Sequence, residues 1–206
     1  MIIQANFSCP FMFLKTLKII VLVSCFVCLQ RTIHAQVNLQ NGQVHVRLTN
    51  LENGVLSVEA KLFIPCQPED IWIVVTDYDH LHDFIPIMLH SELLKEEGDA
   101  KIVKQMFRTG ISIFKFTARV QLRLRETYLQ RLDFEKMKGD FKVFRGSWLL
   151  KRTDDSTGTV LTYQAEIKPL FFTPVSLIRK VQKKDLPDIL NAIKQRTQKI
   201  KLAQKE

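Results

Sequence analysis

Cysteine is scarce where it would matter. The chain of 206 residues has four, and Cys9, Cys25 and Cys28 all lie in the first 35 residues, so the remainder keeps only Cys66. A single cysteine closes no internal disulfide and makes no paired-cysteine metal motif, so the fold must stand on its hydrophobic core. Glycine-rich phosphate loops and the strand–turn–helix nucleophile elbow are missing too, which removes two common signatures of nucleotide binding and hydrolysis. The first 35 residues hold Lys15, Lys18 and Arg31 but no acid. They also fall short of the about 20 continuous apolar residues of a bilayer span, because Lys15 and Lys18 interrupt the stretch that begins at Phe11.

Those residues nevertheless carry a pattern. Two lysines precede the uncharged run 19–29, IIVLVSCFVCL, and Ile33-His34-Ala35 ends in a small residue suited to cleavage. This is the pattern of a secretory signal. Residues 1–35 are read as a signal peptide or membrane-targeting leader, and the protein as exported, to the periplasm or the exterior. Retention as an N-terminal membrane anchor is the alternative, and Leu22-Val23-Ser24-Cys25 also resembles a lipobox. Of the formal charge of +9, the leader contributes three, leaving +6 for a chain whose 46% hydrophobic content fills one core.

Residues 36–54 are polar, with brief alternation at Val44, Val46 and Leu48, and form an N-terminal extension with a candidate extra strand. From there the pattern is mostly that of strands. Residues 55–64 alternate and stop at Pro65. Pro68, Glu69 and Asp70 then open a short helix, with proline and acids where a first turn favours them, and a second short helix follows around 80–85. Beyond Met88 come antiparallel hairpins. In the clearest strand, Phe114, Phe116, Ala118, Val120, Leu122 and Leu124 share one face, while Lys115, Arg119, Arg123 and Arg125 share the other. In the last strand Leu161, Tyr163, Ala165 and Ile167 share a face.

The chain then closes with a long amphipathic helix over residues 174–200. Val175, Ile178, Val181, Leu186, Ile189, Leu190 and Ile193 form its apolar stripe, and Pro187 interrupts it. A sheet with one wet face needs a cover on the other, and this is the large helix available. The expected class is α+β: a curved antiparallel sheet of six to seven strands wrapped around the C-terminal helix, with two short helices after the first strand. The domain spans residues 55–202. Such a sheet need not fill its interior, so a container with its cavity between sheet and helix is expected.

This order resembles the helix-grip fold of the START-like, or Bet v 1-like (SRPBCC), superfamily. The local sequence resembles its polyketide cyclase/dehydrase and coenzyme-Q-binding branch. The resemblance covers about residues 55–200 and is carried by Ile64-Pro65, Ile71-Trp72 with Val75, Asp77-Tyr78, Phe84-Ile85-Pro86, Gly146-Ser147-Trp148, Thr159 with Thr162-Tyr163, Pro174 and Leu186-Pro187. It implies a hydrophobic cavity for lipids, quinones, sterols or polyketides, often without enzymatic activity.

Chemistry-bearing groups are few. Asp77, Asp79, His80, His82, Asp83 and His90 gather in sequence, but His80 and His82 diverge by about 200 degrees on a helix, which is poor for joint ligation. No metal, cofactor or catalytic residue is assigned. Aromatic and aliphatic side chains on separate elements supply the expected cavity lining: Trp72, Phe84, Phe114, Phe116, Phe134, Trp148, Tyr163, Ile178 and Leu190. Arg145 and Tyr163 are the candidate polar contacts, with the inward face of residues 141–150 left open. The basic strand face lacks the exposed aromatics that stack bases, so nucleic acid is not an expected partner. A hydrophobic small molecule is, together with peripheral contact to an anionic membrane. Three functions stay in view: a non-enzymatic carrier of a hydrophobic ligand, a cyclase- or dehydratase-like enzyme on the same scaffold, and a protein-interaction domain with a filled core.

Overall fold

A computed structural model describes residues 42–111 and 114–204, without the side chains of Ile111 and Phe114. The leader therefore lies outside the described residues. So do residues 36–41 of the extension and the side chain of Phe114.

The elements in chain order are β1 (His45–Asn50), β2 (Leu56–Ile64), α1 (Pro68–Val75), a 3-10 turn (Leu81–Asp83), β3 (Met88–Glu97), β4 (Ala100–Ile111), β5 (Phe114–Thr127), β6 (Arg131–Gly139), β7 (Phe141–Arg152), β8 (Thr159–Pro169) and α2 (Val175–Ala203). The strands form one eight-stranded antiparallel sheet in the order β1-β2-β8-β7-β6-β5-β4-β3. β1 supplies the strand beyond the six or seven expected. From β3 to β8 the chain runs as consecutive hairpins, and β2 pairs with β8, so the first and last long strands meet. The short α1 segment carries the chain from β2 to β3 at the far edge. Gly110 lies within β4 opposite Lys115.

Alternation decides which face is inside. In β2 every second residue from Leu56 to Ile64 is buried, and its burial alternates without a break. Ala118, Val120, Leu122 and Leu124 of β5, and Leu161, Tyr163, Ala165 and Ile167 of β8, are likewise buried. Against this face lies α2, whose buried residues are Ile178, Val181, Asp185, Leu186, Leu190, Ile193 and Thr197, spaced three or four apart around one stripe. Pro187 has no N–H to give the Lys183 carbonyl, so the helical ladder is interrupted within the stretch that spans the sheet. At the start of α1 the Asp70 carboxylate accepts from the Gln67 backbone N–H at 3.1 Å, closing a capping box ahead of buried Ile71, Trp72, Val74 and Val75.

Two local devices shape the sheet. Register shifts break the ladder within β3, β6 and β7, and such bulges increase twist and bend a strand. Gly146 in β7 allows close approach to β8: a Cβ there would overlap the Gln164 carbonyl oxygen and come within 2.8 Å of both Ala165 Cα and Phe134 Cζ.

Candidate ligand cavity

Between the inner face of the sheet and α2 lies a cavity of about 170 Å³. It has two unlike walls.

The aromatic wall comes from β6, β7 and β8: Phe134, Phe141, Phe144, Trp148 and Tyr163. In a regular strand Phe141 and Phe144 would face opposite ways. The register shift between Phe141 and Val143 turns both inward, their rings near-parallel with centroids 4.8 Å apart. This resolves the open face of β7: Phe144, Gly146, Trp148 and Leu150 look in, and Phe141 joins them. Phe134 lies 5.2 Å from Phe144 and stacks 5.9 Å from Tyr163, which meets Trp148 at 4.7 Å. The rings form one continuous patch at separations favourable for aromatic pairs. Burial raises the pKa of the Tyr163 hydroxyl, which stays protonated at neutral pH. Among the described residues it donates to no acceptor.

The polar seam joins β4 to α2. Gln105, Phe107 and Thr109 fall on one side of β4 by alternation, and Gln182, Asp185 and Ile189 share a side of α2 by helical spacing. The seam's centre is Asp185, a helix carboxylate only 2% exposed. Thr109 Oγ1 donates to its Oδ2, and the Nζ of Lys184, mostly in solvent, stands 3.2 Å from its Oδ1. Gln105 Nε2 donates to Ser91 Oγ at 3.4 Å.

Tyr78, also on the lining, gives its hydroxyl to Glu126 Oε1 at 2.5 Å; Glu126 in turn is 3.0 Å from Lys101 Nζ. Burial, and then the bond to Glu126, push the Tyr78 pKa up. That group is satisfied within the protein and fixes the cavity end beside β4 and β5. At the surface, Pro169, Phe171, Thr173 and Leu177 line the cavity while remaining partly or fully exposed. Phe171 packs edge-on against Phe116 at 5.6 Å, and Phe172 beside it is 96% exposed.

The lining expected from sequence divides. Phe116, Phe134, Trp148, Tyr163 and Ile178 do line the cavity. Trp72, Phe84 and Leu190 do not. Trp72 is buried but packs edge-on to Tyr128 in the β5–β6 turn at 5.7 Å, because α1 faces that turn. Phe84 lies half-buried beneath the Arg196 guanidinium, 5.7 Å from its ring centroid. Leu190 is fully buried in the packed core, about 100 degrees around the helix from the lining residue Ile189. Arg145 is corrected: it stands on the outer face, where its Nη2 pairs with Glu166 at 2.7 Å, because Arg145 and Glu166 sit opposite each other in the β7–β8 ladder. The basic outer residues Arg123 and Arg125 stand within 3.6 Å of Glu97 at the end of β3 and 3.5 Å of Asp99 in the β3–β4 turn.

Sequence reasoning missed Asp185, Thr109, Gln105, Phe107, Phe141 and Phe144. A signal for Asp185 existed, since it falls in phase with Ile178 and Ile189 on the apolar stripe. Phe141 carried no signal, as nothing in the sequence announces the bulge. Among the described residues, no three His, Cys, Asp or Glu side chains gather closely enough to hold a metal ion, and no helix is long and apolar enough to cross a membrane.

The chain is similar in fold to the Zhui aromatase/cyclase from Streptomyces sp. R1128, with TM-score 0.60 at 14% identity, covering 70% of this chain and 94% of that one. It is equally similar to a STAR-related lipid transfer protein fragment from Xanthomonas axonopodis, with TM-score 0.60 at 16% identity, covering 76% and 94%. A START superfamily protein from Mycobacterium smegmatis gives TM-score 0.59 at 12% identity, covering 70% and 98%. At such identities the likeness is one of fold. No curated protein matches the chain in sequence. The family described as polyketide cyclase/dehydrase and lipid transport matches residues 64–194, from the end of β2 through the cavity-lining part of α2, and with its START-like helix-grip fold the chain belongs to that family.

Proposed function

We propose that the protein binds a hydrophobic small molecule in the cavity between sheet and α2 and carries it without changing it. One observation carries this reading: a void of about 170 Å³ walled by five aromatic side chains in contact with one another. Pockets for whole drug-sized ligands run to about 300–1,000 Å³, whereas about 150 Å³ accepts a benzene ring. The enclosed part of the ligand is therefore ring-sized, of a lipid, quinone or isoprenoid type, and any longer tail leaves through the opening at Phe171.

That opening is also where loading from a membrane would occur. Leu170, Phe171 and Phe172 are exposed side by side at the start of α2, with Lys180 and Lys183 following on the helix. Apolar residues beside cations suit an anionic lipid surface. Two neighbouring cations are engaged elsewhere: Arg179 Nη1 donates to the Leu48 carbonyl and to Asn50 Oδ1 of β1, and Lys184 reaches Asp185.

Mass spectrometry of an organic extract of the purified protein tests the carrier. A single hydrophobic compound in near-equimolar amount is expected. Protein that yields none and fails to take up the neutral dye Nile red overturns the proposal. A second reading, a cyclase- or dehydratase-like enzyme, is favoured by the Thr109–Asp185 pair, two polar side chains in hydrogen-bonding reach on one cavity wall. Recovery of the extracted compound unchanged after prolonged incubation with fresh protein separates carrier from enzyme.

A further inference from the structure

A carboxylate is an expensive group to place in the wall of an apolar cavity. Asp185 is 2% exposed, lies on the stripe of α2 that packs inward, and shares the lining with Ile178, Val181 and Ile189. Burial of an ionised group costs several kcal/mol unless it is paired and hydrogen-bonded. Part of that cost is met: Thr109 Oγ1 donates to Oδ2, and Lys184 Nζ stands 3.2 Å from Oδ1. A carboxylate accepts about four hydrogen bonds through its two oxygens, so each oxygen retains capacity for one more donor. The aromatic wall supplies no charged acceptor; its Tyr163 hydroxyl is neutral.

We propose that Asp185 is the polar anchor of the ligand, and that the ligand carries a neutral hydroxyl, as an alcohol or phenol, beside its ring. This rests on the binding reading above and narrows it to a ligand class. The hydroxyl donates to the free acceptor site of Asp185 while the ring lies along Phe134, Phe144, Trp148 and Tyr163. Gln182, one turn before Asp185 on the same side of the helix, provides an amide that can accompany the oxygen. Charge decides among the alternatives. A ligand carboxylate would meet Asp185 in a region of low dielectric, where like charges repel strongly, so a fatty acid bound by its head group is excluded. A second cation is disfavoured because Lys184 already offsets the charge. A neutral donor meets neither penalty.

The test measures the binding of three ring-sized probes, naphthalene, naphthol and naphthoate, to the purified full-length protein by calorimetry at pH 8. Naphthol is expected to bind about tenfold or more tightly than naphthalene, the worth of one hydrogen bond to a charged acceptor, with naphthoate the weakest of the three. Asp185→Asn keeps an acceptor for Thr109 and removes the charge; naphthoate should then bind about tenfold or more tightly than it does to the wild type. If all three probes bind the wild-type protein equally, the cavity reading survives and the anchor is overturned. If none binds, the cavity reading falls and takes the anchor with it. The wild-type ranking decides the matter even if the variant fails to fold.

Discussion

The two walls of the cavity are built by opposite means. The aromatic wall is a product of the sheet: strand alternation, one bulge and one glycine bring five rings from three strands into contact. Its strength is area and shape, and no single atom in it is indispensable. The polar seam is a product of tertiary docking, in which a strand and a helix from distant parts of the sequence meet at a single carboxylate. Its strength is one hydrogen bond and one nearby cation, and it fails if either element shifts. The first wall offers affinity for anything flat and apolar. The second offers selection.

Gly146→Val is the severest way to break that comparison, because it strikes the aromatic wall at its backbone. The new side chain meets the Gln164 carbonyl oxygen, which cannot move without tearing the β7–β8 ladder, and Phe134 Cζ, part of the wall itself. A loss of about 3 kcal/mol or more is expected, read as a lower urea midpoint, together with loss of Nile red uptake. A variant as stable as the wild type would show that the close approach of β7 to β8 does not hold the wall.

Thr109→Val strikes the seam instead and should cost less. It keeps the shape of the side chain and removes the donor to Asp185 Oδ2, leaving a buried carboxylate short of one partner. Such a loss costs about 1–3 kcal/mol. The aromatic wall is untouched, so binding of naphthalene should stay within about twofold of the wild type. If naphthalene binding falls as steeply as stability does, the two walls are not independent.

The difference between the walls also explains what could be read from sequence. The inner faces of β5 and β8 follow from alternation alone, since the side-chain period of two leaves no freedom about which residues share a face. Phe116, Phe134, Tyr163 and Ile178 could be placed in the interior for that reason or by helical phase, whereas Trp148 waited on the face of β7. Burial, however, does not say which buried residue borders a void. Trp72 and Leu190 are as deeply placed as the lining, yet they touch packed neighbours, because a void is defined by the side chains missing between elements that are far apart in sequence. Phe141 depends on a bulge, which is a property of two strands. Asp185 was hidden by a rule that is usually sound, the assignment of helix charges to the wet face. The exception could be identified only once Thr109 stood opposite it. Arg145 shows the converse: its inward direction was an option only while the face of β7 stayed undecided, and Glu166 across the ladder settles it outward.

Phe172→Ser tests a residue that belongs to neither wall, and its effect on stability should be the smallest. A side chain 96% exposed contributes little to the core, so the urea midpoint should move by less than about 0.5 kcal/mol equivalent. Naphthol binding should stay unchanged, since Phe172 is not part of the lining. What should change is partition onto vesicles containing anionic lipid. A phenyl ring removed from the membrane interface forfeits burial worth about 1–2 kcal/mol, or roughly tenfold in binding. Cosedimentation with phosphatidylserine vesicles reads this directly. A loss of vesicle binding with intact ligand binding places loading at the rim and selection at the seam. Equal vesicle binding by variant and wild type would remove the membrane from the loading step and leave the exposed pair Phe171 and Phe172 acting only as the rim of the opening.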